Sequence, residues 1–302
     1  MRRIRLNLEY DGTAYAGWQR QENALAVQEV LEKALHRLTK EEIRVTGASR
    51  TDAGVHALCQ VCAFDTASRI PAEKFSYALN TLLPDDIRVR ESLEADSDFH
   101  PRFQAHGKIY RYQIYNSPHA SALLRHTHAH FMYPLDESLM DREAQAIVGT
   151  HDFAPFAASG SVVKDTVRTM YRVRVFRHEQ EVTLLVYGGG FLYNMVRILA
   201  GTLMQVGCGK LPEGAIARAL ESGSRLDLGV TAPAHGLTLL RVFYPGEEEE
   251  ARELFAKSAG PTATCCRRTA HEISRHRLKR LISSNLRTSP QITGRRCRQR
   301  AG

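Results

Sequence analysis

Residues 47–56 place Arg50, Asp52 and His56 on one short loop, with Gly47 and Gly54 among them. The loop joins two apolar runs, 43–46 and 58–64, that read as strands, and Asp52-Ala53-Gly54 supplies turn residues between them. A turn needs the Asp and the Gly. It does not need a permanent cation two residues before the carboxylate and an imidazole four residues after it. An ionised carboxylate can act as a nucleophile or electrostatic stabiliser, as at the anomeric carbon in glycoside hydrolysis. A hydrolase would also need a second carboxylate or a water-activating group, and the loop offers none. Taken alone, Asp52 reads as a turn former before it reads as a nucleophile.

Two further residues are candidates for reasons of their own. Arg197 interrupts the most apolar stretch of the chain, 191–206. An isolated buried charge is costly, so this Arg either pairs with a carboxylate or snorkels to solvent. Tyr110 lies on an alternating run, 108–115, with Lys108 and Arg111 beside it, and reads alone as a cross-strand core aromatic. The six cysteines form no framework, and no secretory leader is read, so reduced thiols in a cytoplasm are expected. Cys59 and Cys62 have zinc-like spacing. Three residues apart on a strand they point to opposite faces, and no second ligand pair follows. His126, His128 and His130 alternate on one face but lack an acidic or Cys partner. No metal is expected, and no uninterrupted apolar span of about 20 residues exists to cross a bilayer.

The elements that must position these groups read as α+β, given twice. In the first half, 3–10 alternates as Ile4, Leu6, Leu8 and Tyr10, a half-buried strand, followed by an Asp11-Gly12 turn. Val27, Val30, Leu31, Ala34, Leu35 and Leu38 predict a helix over about 26–38. The two strands around Asp52 follow. A second helix starts after Pro71 with Phe75, Ala78, Leu79 and Leu82 inward, then a short strand at 85–91. The second half starts near Gly107 with the strand 108–115 and continues with a helix at 137–148. Strands at 169–176 and 182–187 form a hairpin, a buried helix spans 191–206 and a surface helix 212–221, and a last strand spans 237–243. Without strict βαβ alternation, mainly antiparallel sheets flanked by helices are expected, in domains 1–106 and 107–246.

Charge separates the body from the end of the chain. The net charge is +8, but 251–302 hold 13 of the 41 Lys and Arg and 2 of the 33 Asp and Glu, hence +11. Residues 1–250 are left with 28 basic and 31 acidic residues, −3. The basic pI is therefore no evidence that the folded body binds nucleic acid. An acidic run at 247–250 and an Arg-, Ser- and Thr-rich stretch beyond Gly260 predict a disordered, basic extension over 247–302. Either it is an inert solvated tail or its arginines bind RNA loosely.

At this point the residues carry a resemblance. Ser49-Arg50-Thr51-Asp52-Ala53-Gly54-Val55-His56-Ala57 resembles the active-site signature of the TruA family of tRNA pseudouridine synthases, typically G-R-T-D-A-G-V-H-A. Further motifs follow in the family's order: Glu9-Tyr10-Asp11-Gly12-Thr13 with Gly17-Trp18-Gln19, Phe99-His100-Pro101-Arg102-Phe103, and Lys108-Ile109-Tyr110-Arg111-Tyr112. Gly149-Thr150-His151-Asp152-Phe153, 190–197, and Ala232-Pro233 with Gly236-Leu237 complete the set, which covers about 1–245. Ser49 stands where the family commonly has Gly, and Ala234-His235 replace a usual Pro-Glu.

The resemblance implies a pseudouridine synthase fold: two similar α+β halves with the active-site cleft between them. It also implies an isomerase that converts uridines 38, 39 and 40 of the tRNA anticodon arm to pseudouridine. The reaction is redox-neutral and needs no cofactor or metal, and the family works as a homodimer in the cytoplasm. By the resemblance Asp52 is the nucleophile, at the sugar C1′ or the uracil C6. Arg197 is the ion-pair partner that orients Asp52 and keeps it ionised through paired hydrogen bonds. The target uridine must leave its stack, so Arg50 would fill the vacated space and Tyr110 would pack on the extruded base. His56 and Leu237 are the remaining substrate-binding expectations. A catalytically silent RNA-binding protein on the same scaffold is the alternative. Such a relative would be expected to lose Asp52.

Overall fold

A computed structural model describes residues 1–157 and 165–258. The expectation of disorder over 259–302 falls outside the described residues. The core of the described residues is one ten-stranded sheet. In chain order its strands are β1 (Arg2–Tyr10), β2 (Thr46–Gly47), β3 (His56–Thr66), β4 (Ile87–Ala95), β5 (Gly107–Asn116), β6 (Ala129–Phe131), β7 (Gly149–Asp152), β8 (Val167–His178), β9 (Glu181–Gly188) and β10 (Leu237–Phe243). The spatial order is β4-β1-β3-β10-β5-β9-β8-β7, with β2 beside β3 and β6 beside β5. All pairings are antiparallel except β10 with β3 and β5 with β6.

Alternation along β1 buries Ile4, Leu6, Leu8 and Tyr10 against the helices α1 (Val27–Thr39) and α2 (Phe75–Asn80). On the other half, α3 (Glu137–Ala144), α4 (Met195–Gly207) and α5 (Ala215–Ser222) cover Val173, Val175, Val182 and Leu184 of the β8–β9 hairpin. The two halves are joined inside the sheet. β10, the last strand, pairs with β5 on one side and runs parallel to β3 on the other, with Thr238 opposite His56 and Leu239 opposite Ala57. That insertion brings the loop before β3 to the centre of the molecule. No helix among the described residues is long and apolar enough to cross a membrane.

Several elements differ from their sequence reading. Ile43 and Val45 are buried, but the strand expected at 43–46 is reduced to Thr46–Gly47. The backbone of Val45 is held instead by α1 side chains: its N–H donates to Glu32 Oε1 at 3.1 Å and its carbonyl accepts from Gln28 Nε2 at 2.8 Å. The helix expected from 191 starts only at Met195, because Asn194 takes a left-handed conformation (φ 60°) just before it. The helix expected to 148 tightens into a single 3₁₀ turn, Gln145–Ile147. The largest correction lies at 247–258, expected to be disordered. Glu248–Ser258 forms a sixth helix, α6, which packs on β5 and β9 and buries Ala251, Leu254 and Phe255. Its Glu248, Glu249 and Glu250 occupy the first turn, where the helix dipole favours negative charge. The acidic run is thus a helix start rather than a solvated spacer.

Candidate active site

The loop 48–55 is fixed from behind by the segment after β1. Trp18 N donates to Thr51 O at 3.1 Å, Gly54 N donates to Tyr15 O at 3.2 Å, and the Tyr10 and Thr51 hydroxyls meet at 2.7 Å. Gly17 makes that closeness feasible: its φ is +93°, and a Cβ there would lie 2.4 Å from Thr51 O. Asp52 therefore sits on a backbone held on its far side and presents its carboxylate to the cleft.

From the second half, α4 brings Arg197 in its first turn. Arg197 Nη1 donates to Asp52 Oδ2 at 3.2 Å, and the two side chains are only 18% and 16% exposed. The guanidinium is fixed by two more bonds, Nε to Ala232 O at 2.9 Å and Nη1 to Asn194 Oδ1 at 2.7 Å. The reach to Asp52 is a single hydrogen bond, not the paired contact expected; Nη1 is shared with Asn194, and Nε is taken by Ala232. The charge balance also differs from expectation. Burial pushes the Asp52 carboxyl above the ordinary carboxylate range, and the Arg197 charge offsets that only in part. Arg197 thus lowers the cost of keeping a buried carboxylate ionised without removing it.

Asp52 and Asn194 line a cavity of about 360 Å³, the scale of a small-ligand site, while Arg197 lies behind Asp52 and is not part of the lining. Ser49, Arg50, Lys108, Tyr110 and Leu237 line it with Asp52. Arg50 is exposed at its edge, and Leu237, the first residue of β10, is 6% exposed inside it. Tyr110 comes from the middle of β5, opposite Leu239 of β10, and packs edge-on against Phe191 with ring centroids 4.9 Å apart. Its hydroxyl meets Ser49 Oγ at 2.8 Å, and burial pushes the phenol up to about 12. Arg102 and Arg168 add positive charge to the lining, which suits a polyanion.

His56 is not among the cavity-lining residues. It is 6% exposed; its Nδ1 accepts from Gly12 N at 3.0 Å, and its Nε2 donates to His235 O at 3.1 Å. It ties the first loop to the segment before β10. Lys108 and Asn194 are part of the site without having been singled out for it. A signal existed for Lys108, two residues from Tyr110 on a strand and therefore on the same face. Asn194 carried none beyond its place in the 190–197 motif.

The model of the family described as tRNA pseudouridine synthase matches residues 8–104 and 144–245. The chain belongs to the tRNA pseudouridine synthase family. It is 53% identical over 244 residues to a tRNA pseudouridine synthase A of Acetivibrio thermocellus, covering 81% of this chain and 100% of that protein. It is 51% identical over 245 residues to one of Ruminiclostridium cellulolyticum, again over 81% and 100%. A solved Cbf5–Nop10–Gar1 complex is similar at a TM-score of 0.36 and 14% identity, over 83% of this chain and 55% of that one, too weak a likeness to add to the assignment. Asp52, Arg197 and Leu237 lie in the two segments that match the tRNA pseudouridine synthase family, whereas Lys108 and Tyr110 lie between them. The family's reaction, uridine to pseudouridine in tRNA, is what the cavity has to accommodate.

Proposed function

We propose that this tRNA pseudouridine synthase isomerises uridines 38, 39 and 40 of the anticodon stem-loop, with Asp52 as its nucleophile. The observation that carries the reading is the largely covered ion pair of Arg197 with Asp52, a residue that lines a cavity together with four cations, Arg50, Arg102, Lys108 and Arg168, and with Tyr110, Phe191 and Leu237. In the reaction the N1–C1′ bond breaks, a C5–C1′ bond forms, C5 loses its proton and N1 gains one. Asp52 attacks C1′ or C6 in its ionised form and is released at the end, so no oxidant, metal or organic cofactor enters the balance. Arg50 fills the space left in the RNA stack, the Tyr110 ring packs on the extruded base, Leu237 contacts it from β10, and Arg102 and Arg168 meet backbone phosphates. The protein works as a homodimer in the cytoplasm.

The test is incubation with unmodified tRNA followed by mapping of pseudouridine at single-nucleotide resolution. Formation at 38–40 in the wild type, lost in Asp52→Asn while tRNA is still bound, is the expected result. Binding without isomerisation by the wild type would instead support a silent RNA-binding protein. Modification outside the anticodon arm would overturn the substrate assignment.

A further inference from the structure

Ser49, the residue that departs from the family's usual Gly, is not idle. Its hydroxyl stands between two cavity-lining groups, 2.8 Å from the Tyr110 hydroxyl and 3.4 Å from Lys108 Nζ. The backbone of Ser49 is clamped by the fully buried Gln60, whose Oε1 accepts from Ser49 N and whose Nε2 donates to Ser49 O. The serine therefore cannot drift. Lys108 Nζ also donates to Ala48 O at 2.9 Å, and no carboxylate pairs with it among the described residues. We propose that Tyr110, Ser49 and Lys108 form a proton relay that removes the C5 proton of the substrate. The proposal rests on the pseudouridine synthase reading of this cavity.

After the C5–C1′ bond has formed, C5 still carries its hydrogen. The C5–H bond breaks, its electron pair restores the C5=C6 double bond, and the proton goes to the Tyr110 oxygen. A neutral phenol can take that proton only by giving up its own, which passes to Ser49 Oγ. The Ser49 proton in turn passes to the neutral amine of Lys108. The resulting ammonium releases its proton to water, and N1, no longer bonded to the sugar, takes one from water. Lys108 is suited to the end of such a chain because burial, aided by the charge of Arg102, lowers it to about 8, so a usable fraction is neutral near pH 7. Arg50, Asp52 and Arg168 are the other charged groups lining the same cavity.

Removing the serine side chain leaves a space between Tyr110 and Lys108 that a water can fill and bridge. An alanine methyl would occupy that space and conduct nothing. Single-turnover rates on tRNA carrying 5-deuterouridine separate the cases. Ser49→Ala, Lys108→Met and Tyr110→Phe should each lower the rate by about 10²-fold at unchanged tRNA affinity and raise the deuterium isotope effect. Ser49→Gly should lose less than Ser49→Ala, and Ser49→Ala/Lys108→Met no more than either single variant. An unchanged rate and isotope effect in folded Ser49→Ala, or multiplicative losses in the double variant, would overturn the relay. Should Ser49→Ala unfold, the Lys108→Met and Tyr110→Phe isotope effects decide in the same way. Failure of the wild type to make any pseudouridine would instead strike the underlying reading.

Discussion

At the residue scale, Asp52 is held in a state that disfavours its own charge. Desolvation outweighs Arg197, so the folded-state carboxyl titrates above the ordinary 3.8. Two consequences follow from the sign of that shift. With Asp52 as the proposed nucleophile the reactive form is the anion, so the acid limb of the kcat/KM profile should lie above the range of an exposed aspartate, and Arg197→Lys, which gives up the fork that binds Ala232 and Asn194, should change it further. A profile flat down to the ordinary carboxylate range would contradict the buried-anion description. For stability the logic is reversed. A carboxyl whose pKa is raised on folding contributes stability that is complete below its unfolded pKa and is lost as pH rises through the folded value. Above that folded value the contribution is gone. Asp52→Asn should therefore inactivate the protein without lowering its thermal midpoint there, since Arg197 keeps Asn194 and Ala232. A marked fall in the midpoint would mean that the ion pair is structural.

At the scale of elements, the site depends on how closely the segment 229–233 lies on α4. Ala232 N donates to Arg197 O at 3.0 Å while Ala232 O receives Arg197 Nε, so each residue fixes the other. Gly201, one turn along, creates the room: a Cβ there would stand 1.8 Å from Val230 O. Helix propensity alone predicts that Gly201→Ala stabilises by about 1 kcal/mol. The packing predicts a loss of about 2 kcal/mol, with a lower kcat as Ala232 is pushed off Arg197. A chemical melt with steady-state kinetics on Gly201→Ala decides between them. This is also where legibility in the sequence stops. Alternation exposed β1 and β5, whereas the lone Arg197 in an apolar run left pairing and snorkelling open, and only the resemblance pointed to Asp52, 145 positions away. Nothing in the sequence marked Gly201 as a crossing point. β6 and β7 are too short to show a period. The backbone of Val45 is satisfied by side chains of α1, a contact that no local pattern encodes.

At the scale of the whole molecule, the two halves share one sheet, and α6 closes it over β5 and β9, the strand of Tyr110 and its neighbour. Composition concealed this helix because acidic and basic runs surround it. Yet Ala251, Leu254 and Phe255 recur at helical spacing, and all three are buried. Arg241 of β10 reaches Glu250 at 2.7 Å, with both side chains largely covered, which ties α6 to the strand that joins the halves. A chain ending at Ser258 keeps all of these contacts, and one ending at Gly246 loses them. Burial of Leu254 and Phe255 stabilises by about 3 kcal/mol after allowance for a compact unfolded state. For a body of this size the shorter chain should melt roughly 6–12 °C below the longer one. Its loss of activity on heating should track that shift, because β10 carries Leu237 into the cavity and anchors β5 beneath Tyr110. Equal melting of the two chains in parallel scans would show that α6 is dispensable and that the sheet alone holds the site.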